Sequence, residues 1–137
     1  MRRYKKTFPV DLYKRGVMVF LGTREAVKRF ITEEYDDVWD DESEEILDRT
    51  SAVTFRLSSD ALIFSSKPIT DGVMVHEIGH AAKHLLRIVG VEDEEAECYL
   101  IEYLYDKILP WFHTTSFSRD ASPSRLSLDA SSQSQEK

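Results

Sequence analysis

The segment from Val73 to Val89 constrains this chain more than any other. Its apolar residues Met74, Ile78, Ala81, Ala82, Leu85 and Val89 recur at three- and four-residue steps, the period of a helix with one buried stripe. Thr70 or Asp71 offers an N-cap and Gly90 a C-terminal stop. Just upstream, Val53, Phe55 and Leu57 alternate with Thr54 and Arg56, and Leu62-Ile63-Phe64 follows after Ser-Ser-Asp-Ala. Two short apolar runs a turn apart read as a β-hairpin, closed by Lys67-Pro68 because proline lacks the amide donor a strand needs. Downstream, Leu100, Ile101, Leu104 and Ile108 mark a second helix over about 92 to 109, with Pro110 as its expected end. Nearer the N-terminus, Val17-Met-Val-Phe-Leu21 suits a buried strand closed by Gly22. Thr23 then caps a helix over about 24 to 35, where Ala26, Val27, Phe30 and Ile31 keep helical spacing. The expected fold is α+β, a small sheet with a hairpin over 52 to 65 packed on the central helix and followed by another helix.

At 137 residues the chain is long enough for one core, expected over residues 1–112, with 113–137 as a serine-rich disordered tail. The net charge of -7 is unevenly placed. Basic residues dominate the first thirty positions, whereas 33 to 48 hold ten acidic residues without a Lys or Arg, and read as a solvated loop or helix face. A nucleic-acid binder needs a sustained positive field, which this acidic run opposes, so no nucleic-acid partner is expected. Cys98 is the single cysteine, so no intrachain disulfide forms and a reducing compartment is the natural setting. No apolar stretch reaches the length of a membrane span, and Val17–Leu21 is too short and too late for a signal-peptide core. The expectation is a soluble, cytoplasmic protein.

Within the central helix stands Val75-His76-Glu77-Ile78-Gly79-His80-Ala81, which fits H-E-x-x-H. Residues four apart lie one turn from each other on the same face, so both imidazoles can approach one ion at about 2.0–2.1 Å. Zinc accepts neutral nitrogen ligands, and Glu77, beside the first ligand, is placed as general base toward a metal-activated water. The plain alternative is a pair of solvated histidines. At about 100° per residue, His76 and His80 fall opposite the apolar stripe, so they are not core residues. His84 extends the series but lies eight residues from His76, about 12 Å along the axis, too far to share the ion. Leu86 excludes the longer three-histidine metzincin pattern.

A third ligand is expected from Glu92-Asp93-Glu94-Glu95-Ala96-Glu97 at the start of the second helix. Phase favours Glu94 or Glu97, and most of this cluster complements the helix dipole. An oxyanion donor would complete such a site; Tyr99, Tyr103, Tyr105 and His113 are candidates that the sequence does not rank.

His-Glu-Ile-Gly-His-Ala-Ala-Lys-His resembles the H-E-L-G-H-x-x-x-H of ImmA/IrrE-type zinc metallopeptidases, small gluzincin-like proteins of bacteria and mobile elements. Their downstream E-A-N-x-F-A segment corresponds to Glu95-Ala96-Glu97-Cys98-Tyr99-Leu100. The stretch from Glu94 to Leu104 is also similar to the D-E-A-x-A-Y-L-x-G-Y-L helix of short phage-encoded zincin-like proteins. The resemblance covers roughly residues 52 to 110. It implies a zincin-like domain that binds Zn2+ through His76, His80 and Glu95, with Glu77 as the catalytic acid/base acting on a peptide or protein substrate. Glu97 and Glu102 depart from the asparagine and glycine of the two patterns and add negative charge, which would suit a basic peptide. The competing expectations are a non-catalytic metal-binding module and a metal-free regulatory interaction protein of a phage or mobile element.

Overall fold

The computed structural model describes residues 3–35 and 39–120. Two hairpins build its sheet. β1 (Tyr4–Val10) and β2 (Arg15–Leu21) pair antiparallel through a short turn, with Val10 opposite Arg15. β3 (Val53–Arg56) and β4 (Ala61–Ser65) form the hairpin that the alternating residues indicate, with Thr54 opposite Ile63. β2 and β4 then lie side by side in parallel, Val19 opposite Ile63, so the order is β1-β2-β4-β3. A parallel neighbour requires a crossover, here α1 (Arg24–Tyr35), α2 (Asp41–Arg49) and β3.

Both faces of the two central strands are covered. Val17, Val19 and Leu21 with Ala61 and Ile63 pack toward α3 (Asp71–Val89) and α4 (Glu94–Phe112). Phe20, Leu62 and Phe64 pack toward Val27 and Ile31 of α1 and Leu47 of α2. A strand buried on both sides has no polar positions to alternate, which is why β2 and β4 read as unbroken apolar runs. β1 buries only Phe8 and Val10 and leaves Lys5, Thr7 and Pro9 in water, too faint a pattern to mark a strand in the sequence.

Of the two readings of the acidic run, loop or helix face, the helix holds over Asp41–Arg49. Asp40 Oδ1 caps it by accepting from the Ser43 amide at 2.9 Å, and that bond holds the Asp40 carboxyl below its ordinary value. Arg24 bridges α1 to α2 through Glu44 at 3.1 Å and Asp48 at 2.9 Å. The Trp39 indole N–H donates to Glu44 at 2.9 Å and, with Arg24, keeps that carboxyl low.

α3 begins at Thr70, whose Oγ1 accepts from the Val73 amide at 3.2 Å, and ends at Gly90 with φ 75°. The Gly90 amide donates to Arg87 O at 3.2 Å and that of Val91 to Leu86 O at 2.9 Å, the paired bonds of a glycine stop. A Cβ at Gly90 meets no atom within 4 Å, so only the left-handed backbone opposes a side chain there. Gly90→Ala is expected to cost about 1 kcal/mol, read as a lower midpoint of urea unfolding with unchanged slope.

α4 runs past Pro110 to Phe112 rather than stopping there. Proline removes one helical donor, but Leu109 before it and Phe112 beyond it are buried, and the His113 amide still donates to Leu109 O at 2.9 Å. Order also continues beyond 113. Phe117 is buried, its carbonyl accepts from the Ile69 amide at 2.8 Å, and the Arg119 amide donates to Ile69 O at 2.9 Å. His113 Nε2 meets both carboxylate oxygens of Asp71 at 2.8 and 2.9 Å. The packed unit therefore extends to at least residue 120; the serine-rich stretch expected to be a tail otherwise falls on 121–137, outside the described residues. No helix of the described residues is long and apolar enough to cross a membrane.

Candidate functional site

α3 lays its apolar stripe of Met74, Ile78, Ala81, Ala82 and Leu85 on the sheet, which turns His76 and His80 outward. Both are exposed, as the helical phase requires. Their Nε2 atoms stand 3.1 Å apart, with ring centroids at 4.7 Å and planes nearly perpendicular. Two nitrogens at that separation, each about 2.0–2.1 Å from one ion, subtend an angle of about 98° there, close to tetrahedral. The same separation accommodates an N–H···N bond between neutral imidazoles.

Glu77 differs from its neighbours in being buried, at 6% exposure. A buried carboxylate is costly without a hydrogen-bond donor. The donor is Thr54, whose Oγ1 lies 2.7 Å from Glu77 Oε1 and 3.1 Å from the Glu77 carbonyl. The sheet makes this contact available: Val53 and Phe55 face α1 and α2, so the period-2 alternation of a strand turns Thr54 and Arg56 to the α3 side. β3 is one of the sheet's two edge strands. His76, Glu77 and His80 share a cleft of about 230 Å3 with Thr54, Arg56 and Thr50. Thr54 and Arg56 were not among the expected site residues; their alternation with Val53 and Phe55 was the available signal.

The remaining expected residues go elsewhere. Glu95 is exposed and lines a separate cleft with Tyr13, Tyr99 and Tyr103. Glu94 and Glu97 line a third cleft with Lys83 and Arg87. None of these acids lines the cleft of the two histidines, and among the described residues no group of three His, Cys, Asp or Glu side chains has the geometry to hold a metal. Helical phase explains the placement of Glu95. It stands nine residues before the buried Leu104, about 180° away around the helix at 100° per residue. For zinc, the two histidines present a fitting pair of donors, and among the described residues no third acid is grouped with them.

His84 is engaged elsewhere. Its Nε2 meets Leu57 O at 2.8 Å, fastening the β3–β4 turn to α3. Of the oxyanion candidates, Tyr103 donates to Pro9 O at 3.1 Å and His113 is held by Asp71. Tyr99 lines the Glu95 cleft, and Tyr105 is 45% exposed. Among the residues lining the histidine cleft, Arg56 carries the positive charge.

Gly79 lies inside the motif, yet a Cβ there meets no atom within 4 Å. Gly79→Ala is expected to stabilise α3 by about 0.5–1 kcal/mol, measured by thermal unfolding, without disturbing the histidines.

The chain matches no family model, no curated protein and no solved structure.

Proposed function

We propose that this protein is a zinc-dependent hydrolase of the metallopeptidase kind, with a zincin-like arrangement of edge strand and motif helix. The observation that carries the reading is the single helical turn on which His76 and His80 bring their Nε2 atoms to 3.1 Å while Glu77, between them in sequence, is held by Thr54 of the edge strand. Zinc, when bound, supplies a Lewis acid and an acidified water. The chain's own contributions are separable. The two imidazoles are the metal donors. Thr54 fixes the carboxylate that takes the proton, and β3 offers an unpaired strand edge along which an extended peptide can align. Arg56, on the same side of β3, brings a positive charge to the cleft. Glu95 stands outside this reading, which rests on two histidines rather than a three-residue set.

A second reading, a metal-binding module without turnover, is favoured by the same displacement of Glu95. Metal analysis tests the ground common to both. Protein purified without a histidine tag and dialysed against zinc should hold about one equivalent. His76→Ala and His80→Ala should each release most of it, and Glu95→Ala should release none. Less than about half an equivalent in the unaltered chain would remove the metal from both readings.

A further inference from the structure

We propose that the cleft between the β1–β2 turn and the first half of α4 is a docking surface for a partner-protein segment bearing arginine or lysine beside large apolar side chains. This proposal is independent of the histidine site. The cleft measures about 570 Å3, within the range of true ligand pockets. One wall is the turn segment Asp11, Leu12 and Tyr13. The Tyr13 amide donates to Val10 O at 3.1 Å and that of Lys14 to Asp11 O at 3.2 Å, and Lys14 takes φ 54°. That turn lifts Leu12 into water at 82% exposure. Across the cleft, Tyr99 is 67% exposed. Single apolar residues on a surface need no explanation, but two large ones flanking one concavity, with Tyr13 and Leu100 also lining it, mark a contact site. Tyrosine is also among the residues most enriched at binding hot spots.

Charge selects the occupant. Asp11, Asp93 and Glu95 line the cleft, and no Lys or Arg does. Among the described residues, none of the three carboxylates is in an ion pair; the ion pairs there involve Arg24, Lys28 and His113. Complementing the dipole of α4 explains Asp93 and Glu95. It does not explain Asp11, which arrives from a different element, nor the two exposed apolar groups. Tyrosine faces accept the stem and head of a basic side chain, and the carboxylates accept its charge. A nucleic-acid backbone is repelled. A second copy of this chain, with its net charge of -7, adds general repulsion to any self-association.

The test uses two fluorescein-labelled peptides, Leu-Arg-Phe-Arg-Leu and Leu-Glu-Phe-Glu-Leu, titrated by anisotropy with the full-length protein. The arginine peptide should bind at least about tenfold more tightly than the glutamate peptide. A Tyr99→Ala, Glu95→Lys double variant should weaken its binding by about tenfold or more with thermal unfolding unchanged, since both side chains are exposed. His76→Ala should bind it as the unaltered chain does. No binding of the arginine peptide, equal binding of both peptides, or an unaffected double variant would overturn the proposal. So would self-association in sedimentation that Leu12→Ser abolishes, because the cleft would then belong to a second copy.

Discussion

Glu77→Gln is expected to lower hydrolysis of an unfolded protein substrate such as casein by on the order of 10²–10⁴, while zinc content and unfolding temperature stay as they were. Glutamine keeps the shape of the side chain and an oxygen that still accepts from Thr54 Oγ1, the 2.7 Å contact of the unaltered chain. What it loses is the capacity to take a proton. The substitution therefore separates the metal from the chemistry. In the proposed reading zinc would be held by His76 and His80, which the exchange does not touch, and turnover would depend on the buried acid between them. If the unaltered chain and the variant bind zinc equally and hydrolyse substrate equally, Glu77 has no catalytic part and the non-catalytic metal module is the correct reading. Release of zinc in the variant would show instead that Glu77 takes part in holding the ion.

Phe112→Ala should destabilise the fold by about 3–5 kcal/mol. Phe112 has no exposed surface and belongs to the core that joins α3, α4 and the sheet. Its ring stands two residues after Pro110, where the chain also turns toward Thr115 and Phe117. Removing it opens a cavity in the region that secures the end of α4. The unfolding temperature should fall by more than about 10 °C, whereas Tyr105→Ala, at a position 45% exposed, should change stability by no more than about 0.5 kcal/mol. A loss of less than about 1 kcal/mol for Phe112→Ala would mean that α4 does not pack at its C-terminal end.

These two residues also show where the sequence was legible. Strong helical period with clear caps located α3 closely, because Thr70 and Gly90 act through their own side chain and backbone. The outward direction of His76 and His80 followed from phase alone. The hairpin over 52 to 65 was legible for the same local reason, and so was α1. α2 was legible only as one of two readings of the acidic run: Leu47 is its one buried residue, and its stability depends on the Asp40 cap and on Arg24, a cross-element contact no local pattern contains. β1 was hidden by its exposed face. Pro110 misled because a breaker's local cost was outweighed by burial around it. Glu95 is the instructive difference at the site. Its role followed a pattern shared with other proteins, whereas phase favoured Glu94 or Glu97, and none of the three lines the histidine cleft.

The seam between Ile69 and residues 117–119 carries a further consequence for how this molecule comes into being. The Asp71 amide is bonded to the Asp120 side chain, 49 positions away in the chain, and the Asp71 carboxylate to His113, 42 positions away. The leading end of the histidine helix is thus anchored by some of the last described residues to leave the ribosome. During synthesis that end waits unfastened, and the turn bearing His76 and His80 is seated only after His113, 42 positions beyond Asp71, has been made.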